Sequence, residues 1–273
     1  MPNSESFGNA PPGDDAAADA RALPGPTPEQ TYAAERNWLL GALFPREYAT
    51  VESLFEVVSL SAGERLGPHH EGIPYVYFPQ SGVVSVVKRL NDGTEVEVAT
   101  VGNEGMTALA VFLGGDEMPT ECVVQIAGAA KRIRARDLQA ASREHGPLRE
   151  VLLCYTRYLF DQVAQSVACD RTHSLEQRCA RWLLMTHDRV GSETFDLTQE
   201  HLASLLGVRR AGVSVAAEAL QRVGAIEYSR GRVRILDHAK LEAVACECYA
   251  TVRDDFDRLL GRAGRHRGLA LAD

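Results

Sequence analysis

Arginines carry the most pointed chemistry in this sequence. Arg209 and Arg210 are adjacent, Arg222 follows, and Arg230, Arg232 and Arg234 alternate with Gly231 and Val233. A guanidinium presents a planar fork of donors that matches phosphate oxygens, or O6 and N7 of guanine. Between Thr198 and Lys240 lie seven Lys/Arg (209, 210, 222, 230, 232, 234, 240) and four acids (200, 218, 227, 237). That stretch is +3 inside a chain of net charge −8. A local reversal of sign is the electrostatic footprint of a polyanion site.

The elements around these arginines read clearly. Thr198 suits an N-cap, and Glu200 sits in the first turn, where the helix dipole favours an acid. Leu202, Leu205 and Leu206 form a short apolar stripe, and Gly207 stops the helix. A second helix begins near Arg209, with Val213, Ala216 and Leu220 inward and Arg209, Arg210, Ser214, Gln221 and Arg222 outward. Gly224 ends it. Two β-rich runs follow, Ala225–Tyr228 and Val233–Leu236, joined by Ser229-Arg230-Gly231-Arg232. Two short helices at a Gly turn and then a hairpin predict a winged helix-turn-helix. Such a helix fits the major groove of B-DNA, with Arg210 placed for guanine and Arg230 and Arg232 at the wing tip for phosphate. The DNA-contact candidates are Thr198, Arg209, Arg210, Ser214, Arg222, Arg230 and Arg232.

The chain of 273 residues has room for two domains, and 45% apolar residues suffice for two cores. No apolar run approaches the ~18 residues of a membrane span, so no membrane partner is expected. The N-terminus lacks the basic and apolar segments of a secretory signal. Cysteines at 122, 154, 169, 179, 246 and 248 are irregularly spaced, which fits reduced thiols and a cytoplasmic location.

In chain order, residues 1–28 are rich in Ala, Pro, Gly and Asp and predict a disordered leader. Residues 29–43 predict a helix docking through Trp38, Leu39 and Leu43, and residues 45–57 a second helix. From Val58 to about Ala135 short β runs alternate with turns: Tyr75–Phe78, Val83–Leu90, Val96–Val101, Glu121–Ile126 and Ala130–Arg134. Asp92-Gly93 marks a hairpin. Residues 147–170 predict one long helix in which Leu148, Leu152, Tyr155, Leu159, Gln162, Ser166 and Cys169 step by 4, 3, 4, 3, 4, 3. That spacing is a heptad seam and predicts a homodimer. A second stripe, Val151, Leu152, Thr156, Val163 and Val167, widens its apolar face. Residues 170–173 read as a hinge, 174–190 as a helix and 238–261 as a final helix. The expected class is α+β: a jelly-roll-like β-roll (29–146), a dimerisation helix with hinge (147–173), a winged helix-turn-helix (174–240), and a C-terminal helix and tail (241–273).

This order of parts resembles the Crp/Fnr family of bacterial transcription regulators over roughly residues 35–240. The resemblance rests on YVYFPQSGVVSVV and VEVATVGNEGM in the β-roll, on the long helix, and on LTQEHLASLLGVRRAGVSVAAEALQRVGAIEY. It implies a cyclic-nucleotide-binding-like effector domain and a homodimer on a two-fold operator in double-stranded DNA. It also implies contact with RNA polymerase and control by a small-molecule effector. Gly105, Met106, Thr107, Thr120 and Tyr155 are the effector-pocket candidates. Two departures matter. Thr107-Ala108 stands where cyclic-nucleotide binders have Gly-Glu, and Pro119 where they have Arg. A cyclic phosphate therefore lacks its charge-assisted partner, so an effector other than cyclic AMP is expected. In the reading helix only Arg210 carries over, so the family's operator does not transfer.

Other ligand chemistry weighs less. No Cys precedes 122, which removes the family's N-terminal iron–sulfur site. Cys246 and Cys248, two apart on a presumed helix, would point about 200° apart and could not share a ligand site. A rival reading is a cupin-like metal-dependent enzyme with a helical appendage, holding its metal through His69, His70 and Glu71. Adjacent histidines on a strand face opposite sides, which weakens it. The expectation is therefore no enzyme, no metal and no cofactor.

Overall fold

The computed structural model describes residues 35–67 and 72–261. The leader and the His69-His70-Glu71 triplet lie outside them. The β-rich half supplies β1 (Glu56–Leu60), β2 (Tyr75–Pro79), β3 (Val83–Arg89), β4 (Glu95–Val101), β5 (Glu121–Ile126) and β6 (Gly128–Arg134). They form two antiparallel three-stranded sheets, in the orders β1-β6-β2 and β4-β3-β5. The Asp92-Gly93 turn behaves as its residues predict: Gly93 has φ 85°, and Asp92 Oδ1 accepts from Thr94 N at 2.9 Å. Leu60 and Ala130 from one sheet pack with Val84, Val86 and Val124 from the other in one buried core, while Phe78 and Ile133 belong to a second core shared with the helices.

Three readings before and within this half need correction. Among residues 35–43 only Leu40–Ala42 is helical, a single 3-10 turn. Asn37 prevents more: its side chain donates to Pro79 O (2.8 Å) and Gly105 O (2.9 Å) and accepts from Leu40 N (3.0 Å). The expected helix 45–57 ends early. It is α1 (Pro45–Val51) and a 3-10 turn, after which Glu56–Leu60 pairs with β6 as β1. Val57, Val58 and Leu60 suit a strand, and pairing with β6 overrides the helical pattern. After a one-turn helix, α2 (Leu109–Phe112), and the last strands comes α3 (Ala135–Glu144), which the sequence reading passed over.

The long helix, α4 (Gly146–Thr172), has 27 residues and is about 40 Å long. Its expected dimer seam turns inward. Leu148, Leu152, Tyr155 and Gln162 are buried against this chain's own β-roll, and Leu159 packs there half-buried. Tyr155 Oη donates to Met106 O (2.9 Å), and Gln162 Oε1 accepts from Thr100 N (2.9 Å). A 4-3 apolar seam covers whichever apolar surface is nearest, and here that is the β-roll. The outward apolar residues are Leu153, Phe160 and Val167, spaced by seven, while Val163 packs half-buried on the β-roll core. Leu153, Phe160 and Val167 are 47%, 73% and 60% exposed, which is unusual for residues of this kind.

The remainder is α5 (Leu175–Val190), β7 (Thr194–Asp196), α6 (Gln199–Leu205), α7 (Arg210–Arg222), β8 (Ile226–Ser229), β9 (Arg232–Ile235), α8 (His238–Val244) and α9 (Cys248–Leu259). Ser174 caps α5 in a capping box with Gln177. The wing has a third strand not foreseen, in the order β7-β9-β8. The final helix is two, because Ala245 is extended. That break undoes the argument separating Cys246 from Cys248: Cys246 precedes α9 rather than sharing a helix with Cys248, and its Sγ lies 3.5 Å from Cys169 Sγ. α9 lies against α4, with Tyr158 and Phe256 ring centroids 5.4 Å apart. Among the described residues, no helix is long and apolar enough to cross a membrane.

Candidate nucleic-acid interface

Thr198 Oγ1 accepts from His201 N at 3.1 Å, so this residue caps α6. Leu202, Ala203 and Leu205 bury the inner face of α6. Gly207, at φ 64°, then turns the chain. α7 buries Val213, Ala216, Ala217 and Leu220 and leaves Arg209, Arg210, Ala211, Val215, Glu218, Gln221 and Arg222 exposed around its outer side. Gly212 permits close packing on α5: a Cβ there would stand 2.8 Å from Leu175 Cδ2. At the wing tip Arg230 takes a left-handed φ of 51° beside Gly231 at 76°. Leu197 N donates to Gly231 O (2.8 Å), which ties the tip to the start of α6.

The candidate DNA contacts fall into different situations. Arg210 Nε is 3.8 Å from Glu200 Oε2, with both side chains largely exposed. An ion pair that long and wet holds an arginine weakly. Arg209 and Arg230 are exposed; Arg232 pairs with Asp196 at 2.9 Å in the open. Ser214 Oγ donates to Gln199 Oε1 at 2.6 Å, so it braces α7 against α6. Arg222 closes α7, about 18 Å along the axis from Arg210, at the far end of the helix. The outward face at the start of α7 therefore consists of Arg209, Arg210, Ala211 and Val215, with Val215 68% exposed.

The effector-pocket candidates are not gathered around a space. Met106, Thr107 and Tyr155 are buried, and a Cβ on Gly105 would sit 2.4 Å from the Tyr155 ring. Burial pushes the Tyr155 hydroxyl well above its usual value. Thr120 lies apart, in a surface groove with Lys88, Arg89 and Pro119. Beside it Arg89 is held by Glu95 (2.6 Å) and Glu121 (3.3 Å), and Arg65 by the same two acids. Both of these arginines are thus already paired with carboxylates, and Lys88 Nζ donates to the Pro119 carbonyl (2.7 Å). Thermal melting with millimolar cyclic AMP should therefore show no shift; a rise of several degrees would contradict this account of the groove.

Sequence reasoning missed how the basic module is fixed to the β-roll. Arg189 in the last turn of α5 grips Glu104 in the turn after β4 through Nε and Nη2, at 2.7–3.1 Å. Both side chains are nearly fully buried. Burial opposes the charge of Arg189, but the Glu104 carboxylate raises its pKa above the ordinary guanidinium value. Gly102 makes room: a Cβ there would stand 2.5 Å from Arg189 Cδ. Trp182 Nε1 donates to Glu97 Oε1 (2.9 Å), and burial raises the Glu97 carboxyl. His201 on α6 meets Gln125 on β5, and burial lowers the His201 pKa. A cavity of about 440 Å³ opens beside the ion pair, lined by Glu104, Arg189, Tyr158, His238, Tyr249 and Phe256 among others. The available signal was a Glu within Gly102-Asn103-Glu104-Gly105 and an Arg in the last turn of an apolar helix.

By sequence, residues 177–244 match the Crp-like helix-turn-helix domain. The C-terminal module is a Crp-like helix-turn-helix domain. The match takes in α5, the wing and α8, so the docking residues Trp182, Arg189 and His201 lie within the Crp-like domain. A CRP-family transcriptional regulator from Thermus thermophilus is similar in structure at TM-score 0.58 and 23% identity, over 69% of this chain and 96% of that one. FixK2 of Bradyrhizobium japonicum is similar at 0.58 and 17%, over 70% and 98%. A Eubacterium rectale protein assigned to the Crp/Fnr family is similar at 0.57 and 18%, over 76% and 96%. The β-roll, long helix and Crp-like domain thus share one fold with Crp/Fnr regulators. No curated protein matches the chain by sequence.

Proposed function

We propose that the protein is a homodimeric, sequence-specific DNA-binding transcription regulator of the Crp/Fnr type, acting in the cytoplasm. The observation that carries this reading is the exposed start of α7. Arg210 stands there free of any strong partner, on a Crp-like domain whose segment 198–240 is +3. Ala211 and Val215 flank it with apolar surface suited to a thymine methyl. The two-fold partner is a second copy of this chain, packed along Leu153, Phe160 and Val167. Promoter contact with RNA polymerase follows from the resemblance. The cavity beside Glu104–Arg189 is the place where a small molecule would change how the Crp-like domain sits on the β-roll. It replaces the close-packed set around Gly105 and Tyr155 as the effector site.

Binding and selection experiments with variants test this. Arg210→Ala should relax preference at one base pair of each half-site, with discrimination there falling by about 1–3 kcal/mol. Arg232→Ala should instead weaken all sequences alike and lower the salt slope by about one unit. Sites selected by Arg210→Ala that equal the wild-type sites at every position would remove Arg210 from base reading.

A further inference from the structure

Three buried thiols form a small cluster of their own, apart from both hydrophobic cores: Cys169, Cys246 and Cys248. His173 completes it. The four candidate ligand atoms all lie within 4.8 Å of one another. Cys169 Sγ and Cys246 Sγ are 3.5 Å apart, and Cys248 Sγ is 3.5 Å from His173 Nδ1. For bonds of about 2.3 Å to sulfur and about 2.0 Å to nitrogen, tetrahedral ligands stand about 3.5–3.8 Å apart. We propose that Cys169, His173, Cys246 and Cys248 are the ligands of a structural zinc ion.

The surroundings are those of a metal site. A metal-bound imidazole donates through its other nitrogen to a carboxylate, and His173 Nε2 is 3.2 Å from Glu247 Oε2. Gln165 Nε2 donates to Cys248 Sγ at 2.9 Å, a contact that favours a thiolate there. The chain also bends to build the cluster. Cys169 and His173 are one turn apart at the end of α4, whereas Cys246 reaches them only through the break between α8 and α9. Three thiolates with one imidazole suit a tetrahedral ion of zinc's softness. A sulfide-bridged iron cluster needs room for its own atoms between the ligands, and these ligand atoms all lie within 4.8 Å of one another.

The site joins the C-terminal end of α4, which stays helical through Thr172, to the segment after the wing. Zinc would therefore fix the pivot between the β-roll half and the Crp-like domain.

The test is elemental analysis of full-length protein made without a metal-binding tag and purified under reducing conditions. One zinc per chain is expected, and Co²⁺ in its place should give the intense visible bands of a tetrahedral thiolate site. Cys248→Ser should fall well below one zinc per chain, while Cys154→Ser, outside the cluster, should keep it. Wild-type metal content and the cobalt spectrum decide the matter even where a variant does not fold. Wild-type protein without stoichiometric metal, a Cys169–Cys246 disulfide, or the spectrum of an iron–sulfur cluster would each overturn the proposal. None of these readouts depends on DNA binding.

Discussion

Glu104→Ala should be among the most damaging single substitutions in the molecule. It leaves the Arg189 guanidinium buried without its carboxylate; among the described residues its remaining hydrogen bond is to the Met185 carbonyl at 2.7 Å. Breaking a buried pair from one side costs about 3–5 kcal/mol, because an uncompensated charge remains inside. Thermal unfolding should fall by about 6–20 °C, or split into two transitions as the Crp-like domain separates from the β-roll. Glu104→Leu combined with Arg189→Met removes both charges and should recover most of the loss, since well-packed apolar replacements of a buried pair are near neutral. If Glu104→Ala melts like the wild type, the ion pair does not hold the two halves together.

The second large effect is on assembly. Leu153→Asp with Phe160→Asp places two charges on the outward stripe of α4 and touches none of its inward contacts. Sedimentation should then show monomers with an unchanged far-ultraviolet spectrum. Affinity for a two-fold operator should fall by about 10²–10⁴-fold, because the second half-site no longer binds at high effective concentration. Leu152→Asp and Leu159→Asp, which the heptad pattern singles out, should unfold the β-roll instead. An unchanged dimer in the Leu153/Phe160 variant would remove this face from the interface.

How much the sequence revealed follows from the range of each signal. The helix-turn-helix was legible because its signals are local: Thr198 as a cap, Gly207 and Gly224 as stops, and an apolar stripe at 213, 216 and 220. Most of the strands between 75 and 134 were legible for the same reason. The direction of α4 was not. Periodicity shows that Leu152 and Tyr155 lie on an apolar face, but not whether a twin or the chain's own β-roll covers it. Glu104–Arg189 spans 85 residues and Cys169–Cys246 spans 77, and no pattern along the chain announces such pairs. The approach of Cys246 to Cys169 was not legible because the helical pattern over 238–261 does not mark Ala245, where the chain is extended.

Two copies of this chain are expected to read DNA through paired α7 helices. The most direct test is selection of duplexes from a random pool by the full-length protein, followed by affinity measured against salt. The expected result is inverted half-sites with centres about 10–10.5 bp apart, and affinity that falls steeply as salt rises. A pool that yields no enriched sequence, or a single undivided site bound with the same affinity at low and high salt, would contradict it.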